Sequence, residues 1–95
     1  MPAAPQHVTL AADTERVITL NRNCGMIRIV VVSNPALVYF NTTNTAIPAV
    51  ASNQDGNQAI PAVLAVVEVE DETLGASSIV RLRSAGTPTL MITGW

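Results

Sequence analysis

MIRIVVVSNPALVYFN, residues 26–41, is the stretch whose reading decides the fold. Successive side chains of an extended chain alternate, so Ile27, Ile29 and Val31 point to one side and Arg28, Val30 and Val32 to the other. Ile27, Ile29, Val30, Val31 and Val32 are β-branched; they lose rotamer freedom in a helix and fit a pleated surface, which makes this a strand. Ser33-Asn34-Pro35 ends it, because Pro35 lacks a backbone donor and pushes Asn34 out of the helical region. Leu37 to Asn41 resumes as a second strand, expected to form a hairpin-like pair with the first. Both faces of this pair are largely apolar. Both therefore need cover, one by a second sheet and the other by something else.

Working outward, residues 7–10 and 16–20 alternate around a turn at 11–15, with Ile18 and Leu20 facing in, and 21–25 is a turn cluster ending in Gly25. Toward the C-terminus, residues 64–70 set Val67 and Val69 against Glu68 and Glu70 and close in a turn at 71–75. Residues 79–83 turn Val80 and Leu82 inward and Arg81 and Arg83 outward. A turn at 85–88 leads to a last strand at 90–93. No segment carries a 3.6-residue stripe. The expected fold is all-β: a single-domain antiparallel β-sandwich of about seven short strands, jelly-roll or Ig-like, over residues 7–95.

Residues 1–6, with Pro2 and Pro5 among small side chains, read as an N-terminal arm that is mobile or ordered only on a neighbour. Residues 42–62 read as an extended loop rich in Asn, Thr, Ala and Pro, with Asp55-Gly56-Asn57 as its strongest turn signal. AIPAV occurs twice, at 46–50 and 59–63, which suggests two similar extended pieces flanking that turn. Chance in an Ala- and Val-rich chain and a small local duplication account for it equally well. Two copies fall short of a repeat architecture, which needs about three.

Composition narrows function. Of 95 residues, 48% are apolar and 13% charged, about half the usual charged share of roughly 25%. Lysine is absent; the cations are Arg16, Arg22, Arg28, Arg81 and Arg83, and the net charge is −2, which gives no electrostatic footprint for nucleic acid. Cys24 stands alone, so an internal disulfide and a cysteine-rich metal site are both ruled out. The first residues show neither a cationic n-region nor an apolar h-region, and no apolar run nears the roughly 20 residues of a membrane span. Folding in the cytoplasm of the producing cell, without a membrane partner, is the expectation.

Catalytic chemistry finds few parts. His7 is the sole histidine, so a His-based metal cluster or triad lacks its other members, and Cys24 has only Arg22 nearby to lower its pKa. Glu68, Glu70, Asp71 and Glu72 form the one acidic cluster. Glu68 and Glu70 share a strand face, a relation suited to a cation or an acid/base pair, with Asp13 or Asp55 as possible additions. Arg81 and Arg83 repeat the same spacing, and cross-strand pairing of the two glutamates with these two arginines is the simpler expectation. No cofactor, no metal and no enzyme activity are expected. Trp95 could stack on a sugar, or dock on its own domain or a neighbouring subunit.

Val38-Tyr39-Phe40 in the middle and Val80, Leu82, Ser84, Gly86, Thr87, Pro88 and Gly94 at the end follow a pattern of strands and turns. With the order of the other segments, the chain resembles small β-sandwich virion proteins of tailed bacteriophages. The two AIPAV copies and the missing lysine lie outside that pattern. The resemblance implies a capsid decoration or cement protein on the virion surface, with the major capsid protein as partner and no catalytic residue. A soluble ligand-binding β-module, contacting carbohydrate or a host surface through Trp95 or the 42–62 loop, and a neck or tail component are the alternatives. Candidate contact residues are Pro2, Ala3, Ala4, Pro5 and Gln6 of the arm, Ile47, Pro48, Ile60 and Pro61 of the two AIPAV copies, and Trp95. Leu64, Val66, Ile79 and Met91 lie opposite the expected core positions, which points to a homo-oligomer or a docked subunit. Analogy with shell decoration favours a trimer.

Overall fold

The computed structural model describes residues 2–73 and 75–95. Met1 of the expected arm and Leu74 of the expected 71–75 turn lie outside the described residues. Eight strands form among the rest: β1 (Gln6–Thr9), β2 (Arg16–Thr19), β3 (Met26–Ser33), β4 (Val38–Asn41), β5 (Gln58–Ile60), β6 (Val66–Glu70), β7 (Ile79–Ser84) and β8 (Thr89–Gly94), with no helix among the described residues. The first four pair antiparallel with the last four in reverse order: β1 with β8, β2 with β7, β3 with β6 and β4 with β5. That is a double ribbon folded at residues 42–57. Winding the ribbon brings β8 also against β3 and β7 also against β4, giving sheets ordered β1-β8-β3-β6 and β2-β7-β4-β5. The β-sandwich expectation holds, and of its two named forms this strand order is the jelly roll.

The alternation in the sequence predicts which faces meet. Ile27, Ile29, Val31, Leu90 and Ile92 from one sheet and Ile18, Val38, Phe40, Ile60, Val80 and Leu82 from the other are buried between the layers. Val67 and Val69 pack against this core from the sandwich's side and remain half-buried. The shortest molecular extent, 17 Å, admits two sheets spaced about 10 Å apart and little more.

Several expectations need correction. β3 and β4 do not form a hairpin; they belong to opposite sheets. Asn34 takes a left-handed φ of 52° and its amide donates to the Thr87 carbonyl at 3.2 Å and the Thr87 hydroxyl at 3.0 Å, so the corner is tied to the 85–88 turn as the chain crosses layers. Gly86 makes that packing possible, since a Cβ there would stand 2.7 Å from the Ala36 Cβ. The strand count is eight because β5, three residues long, emerges inside the stretch read as a loop. Residues 2–6 are not a free arm: Ala3 is 1% exposed, its N–H donates to the Gly94 carbonyl at 2.7 Å, and its carbonyl accepts from Thr93 at 2.7 Å. Gln6 already belongs to β1. The Ala3 methyl is buried with the core, and small size in the sequence was the opposite signal, read as lack of anchorage.

Candidate functional site

The two outer faces of the sandwich are candidate surfaces, and they are built differently. On β2-β7-β4-β5 the outward residues include Arg81 and Arg83 of β7, which register against Val17 of β2 and against Asn41 and Tyr39 of β4. Residues 42–57 fold back over this face as a roof. Asp13 and Glu15, from the β1–β2 turn, each join one arginine to the roof. The Asp13 Oδ1 accepts from Arg83 Nε at 2.9 Å and from the Val50 N–H at 2.9 Å. Glu15 accepts from Arg81 Nη1 at 2.7 Å through one oxygen and from the Ile47 N–H at 2.5 Å through the other. Arg83 also donates to the Ile47 carbonyl at 3.1 Å, and Arg81 to the Asn44 side chain at 2.8 Å. Ile47, 2% exposed, is sealed beneath. The Val50 hydrogen bond, then the neighbouring Arg83, hold the Asp13 carboxyl below the usual aspartate range.

The roof braces itself as well. Asn41, buried at the end of β4, donates to the Thr45 carbonyl and the Asn57 side chain, both at 2.8 Å, and accepts from the Thr45 N–H. Gln54 donates to the carbonyls of Pro48 and Ala49. A cleft of about 330 Å³ opens on the roof, lined by residues that include Thr43, Thr45, Asn53, Asp55 and Asn57. Several of its polar groups already serve the roof: Asp55 accepts from Asn53 at 3.2 Å, and Thr43 and Thr45 share a hydrogen bond at 2.9 Å.

Among the described residues, none forms such a cover over the outer face of β1-β8-β3-β6. The register aligns His7, Met91, Val30 and Val66 as one row across all four strands, with Thr93, Arg28 and Glu68 as the next row. Val66 in this row is 63% exposed; Val32, two residues beyond Val30 in β3, is 46% exposed, and Val63 and Leu64, just ahead of β6 in the chain, are 52% and 66% exposed. Arg28 donates to the Glu68 carboxylate at 2.7 and 3.0 Å, and its guanidinium lies 5.0 Å from the centre of the Trp95 ring. Separately scattered apolar side chains need no explanation; a contiguous row on one flat face is an interface feature.

This arrangement overturns the expected pairing of Glu68 and Glu70 with Arg81 and Arg83. β6 and β7 lie in different sheets, so Glu68 meets Arg28, and the two β7 arginines meet Glu15 and Asp13. Asp13 and Glu15 carry the same i, i+2 spacing as the arginines, and that was the available signal for the true partners.

The expected contact residues do not converge. Ala3, Ile47 and Ile60 are buried within the chain's own fold, while Pro2, Ala4, Pro5, Pro48 and Pro61 are exposed and Gln6 is half-buried. Both AIPAV copies bury their isoleucine and expose their proline, Ile47 under the roof and Ile60 in the main core. Trp95 and the roof stand on opposite outer faces, so they do not form one ligand site. Cys24 is buried and His7 exposed. Among the described residues no group of three or more His, Cys, Asp or Glu gathers as a metal site. Comparison with protein-family models, curated proteins and solved structures finds no match to this chain.

Proposed function

We propose that the protein is a structural subunit without catalytic activity that attaches in many copies to the outside of an assembled protein shell, as a phage-type capsid decoration or cement protein. The observation that carries this reading is the bare apolar row of Met91, Val30 and Val66, with the exposed Val32 and Leu64 near it in the chain, on an otherwise well-satisfied sandwich. No buried side-chain nitrogen or oxygen among the described residues lacks a hydrogen-bond partner. The domain's buried polar side chains are thus satisfied internally, and its uncovered surface is apolar, which suits association with protein. The sequence resemblance to phage virion proteins supplies the identity of the partner, the major capsid protein. Jelly rolls serve in capsids and in lectins, so the fold by itself favours neither.

Each subunit would supply a modest contact, and a homo-oligomer, with a trimer favoured by analogy, would link several into one avid attachment across neighbouring shell subunits. The test is the copy number in purified particles together with their tolerance of heat and osmotic shock. Particles carrying the protein should outlast particles lacking it. Equal tolerance removes the cementing role, and absence from particles removes the reading. Leu64→Asp with Val66→Asp should leave the isolated domain folded and weaken attachment by about tenfold or more, since charge is being placed in an apolar contact.

The roof cleft favours a second reading, a soluble ligand-binding module. Its lining mixes the polar side chains of Thr43, Thr45, Asn53, Asp55 and Asn57 with Ala46 and Pro48, a combination suited to a small hydroxylated ligand, and includes no aromatic residue among the described ones. Saturable binding of a monosaccharide panel, perturbing Asn53 and Asp55 amides, would support it.

A further inference from the structure

We infer that the free edge of β6 accepts an extended segment of another chain, one that alternates apolar and basic side chains. The inference deepens the attachment reading by naming the chemistry of the contact. Two hydrogen bonds fix the phase of the strand: the Val31 N–H donates to the Ala65 carbonyl at 2.9 Å, and the Thr42 hydroxyl donates to the Glu70 carbonyl at 2.9 Å from the other side. Odd-numbered residues of β6 therefore bond β3, and Val66, Glu68 and Glu70 turn their N–H and C=O groups away from the sheet. The Thr42 hydroxyl occupies the Glu70 carbonyl and, past the end of β6, accepts from the Glu72 N–H at 3.4 Å. Among the described residues nothing bonds the outward backbone groups of Val66 or Glu68.

The other edges are closed or short. On the β1–β2 side, Gln6 donates to the Thr19 carbonyl at 2.7 Å and the Ala4 N–H to Asn21 at 3.1 Å, stitching the two sheets together. β5 has three residues and is followed by Pro61. β6 has five, and the half-buried Val67 and Val69 beneath it mark where the sandwich is open at the side. A strand added here would cover Val67 and Val69 with its inward side chains. Its outward side chains would lie beside Val66, Glu68 and Glu70.

Charge selects the occupant. Pairing of β6 with β6 of a second copy about a twofold axis centred on Glu68 would set Glu68 directly across from Glu68, and a centre at Val67 would still gather four glutamates on one face. Like charges opposed across a ladder are destabilising, and such residues are how edges resist self-pairing. Glu70 has no ion-pair partner among the described residues, and Glu68 is half-exposed beside Arg28. A segment bearing arginine or lysine at alternate positions complements this edge; a second copy does not.

The probe is a capped synthetic pentapeptide of alternating arginine and valine, with a glutamate–valine peptide as its counterpart. In the free protein the Val66 and Glu68 amides should exchange rapidly with solvent while those of Val67 and Val69 are protected. Saturation with the arginine peptide should slow Val66 and Glu68 by about tenfold or more, and the glutamate peptide should not. Val66→Pro removes an N–H that bonds nothing, so it should keep the fold and abolish binding, whereas Val66→Thr should retain it. Should the proline variant fail to fold, Glu68→Gln with Glu70→Gln supplies the second arm, weakening the arginine peptide alone. Absence of binding, binding without protection of Val66 and Glu68, or protection of both in a peptide-free dimer would overturn the inference. Failure here with attachment to shells intact leaves the attachment reading standing. Binding here with no attachment to shells removes that reading and keeps the edge.

Discussion

Sheets β2-β7-β4-β5 and β1-β8-β3-β6 have equal strand numbers, and each presents arginine on its outer face, yet among the described residues only the first is covered by its own chain. On the covered side two carboxylates from one turn link two arginines to the backbone of the roof, and an isoleucine fills the space below. On the bare side one arginine is served by one glutamate and one indole, and the apolar residues beside it remain in water. The same composition thus becomes internal structure where a loop of sufficient length returns, and available surface where none does.

The sharpest way to break this contrast is to cut the same kind of side chain on both faces. Ile47→Ala, under the roof, should lower stability by about 2–4 kcal/mol, as for a buried aliphatic, while Val66→Ala on the bare face should stay within about 0.5 kcal/mol. Urea denaturation of the two variants measures it, and equal costs would mean the roof is not a packed layer. A smaller difference is expected between carboxylates. Glu15→Gln disturbs a partly buried charge-assisted network and should cost about 1–3 kcal/mol, against about 0.2–1 kcal/mol for Glu68→Gln at an exposed pair.

The mildest effect should come from acid. The Asp13 carboxyl is depressed in the folded protein, so its contribution is present above the ordinary aspartate value of about 3.9 and is lost as the pH falls through the lower folded value. Asp13 binds the roof through Val50, so the expected readout is earlier exchange of the Val50 amide in acid, with the amides of β3 unchanged. Asp13→Asn should remove that pH dependence.

The strand content was legible because it is local. Ile27, Ile29 and Val31, and again Val80 and Leu82, alternate with outward residues, and the structure buries each of them. The bare row was also partly legible, since Val30, Val66 and Met91 stand opposite core positions in their own strands. Pairing was not. Arg81 and Glu15 are 66 residues apart in the chain, and nothing in the alternation of either segment states which sheet it joins. The Ser33-Asn34-Pro35 corner reads as a turn whether the chain stays in its layer or crosses it. The roof was invisible for a different reason: its stability resides in side-chain bonds to backbone, from Asn41, Gln54, Asp13 and Glu15, and such bonds impose no periodicity.

The pairing of β1 with β8, in which Gln6 lies opposite Ile92, carries a consequence for how the molecule comes into being. β8 is the strand that sits between β1 and β3, so neither neighbour is held in place on that side until β8 has docked. Loop-closure entropy favours the β4–β5 pairing, whose partners are nearest in sequence, over the β1–β8 pairing, whose partners are farthest apart. Loop closure over such spans is slow, in the range of milliseconds to seconds for β-sandwiches. During that interval β3, the most apolar strand, waits with both of its edges open.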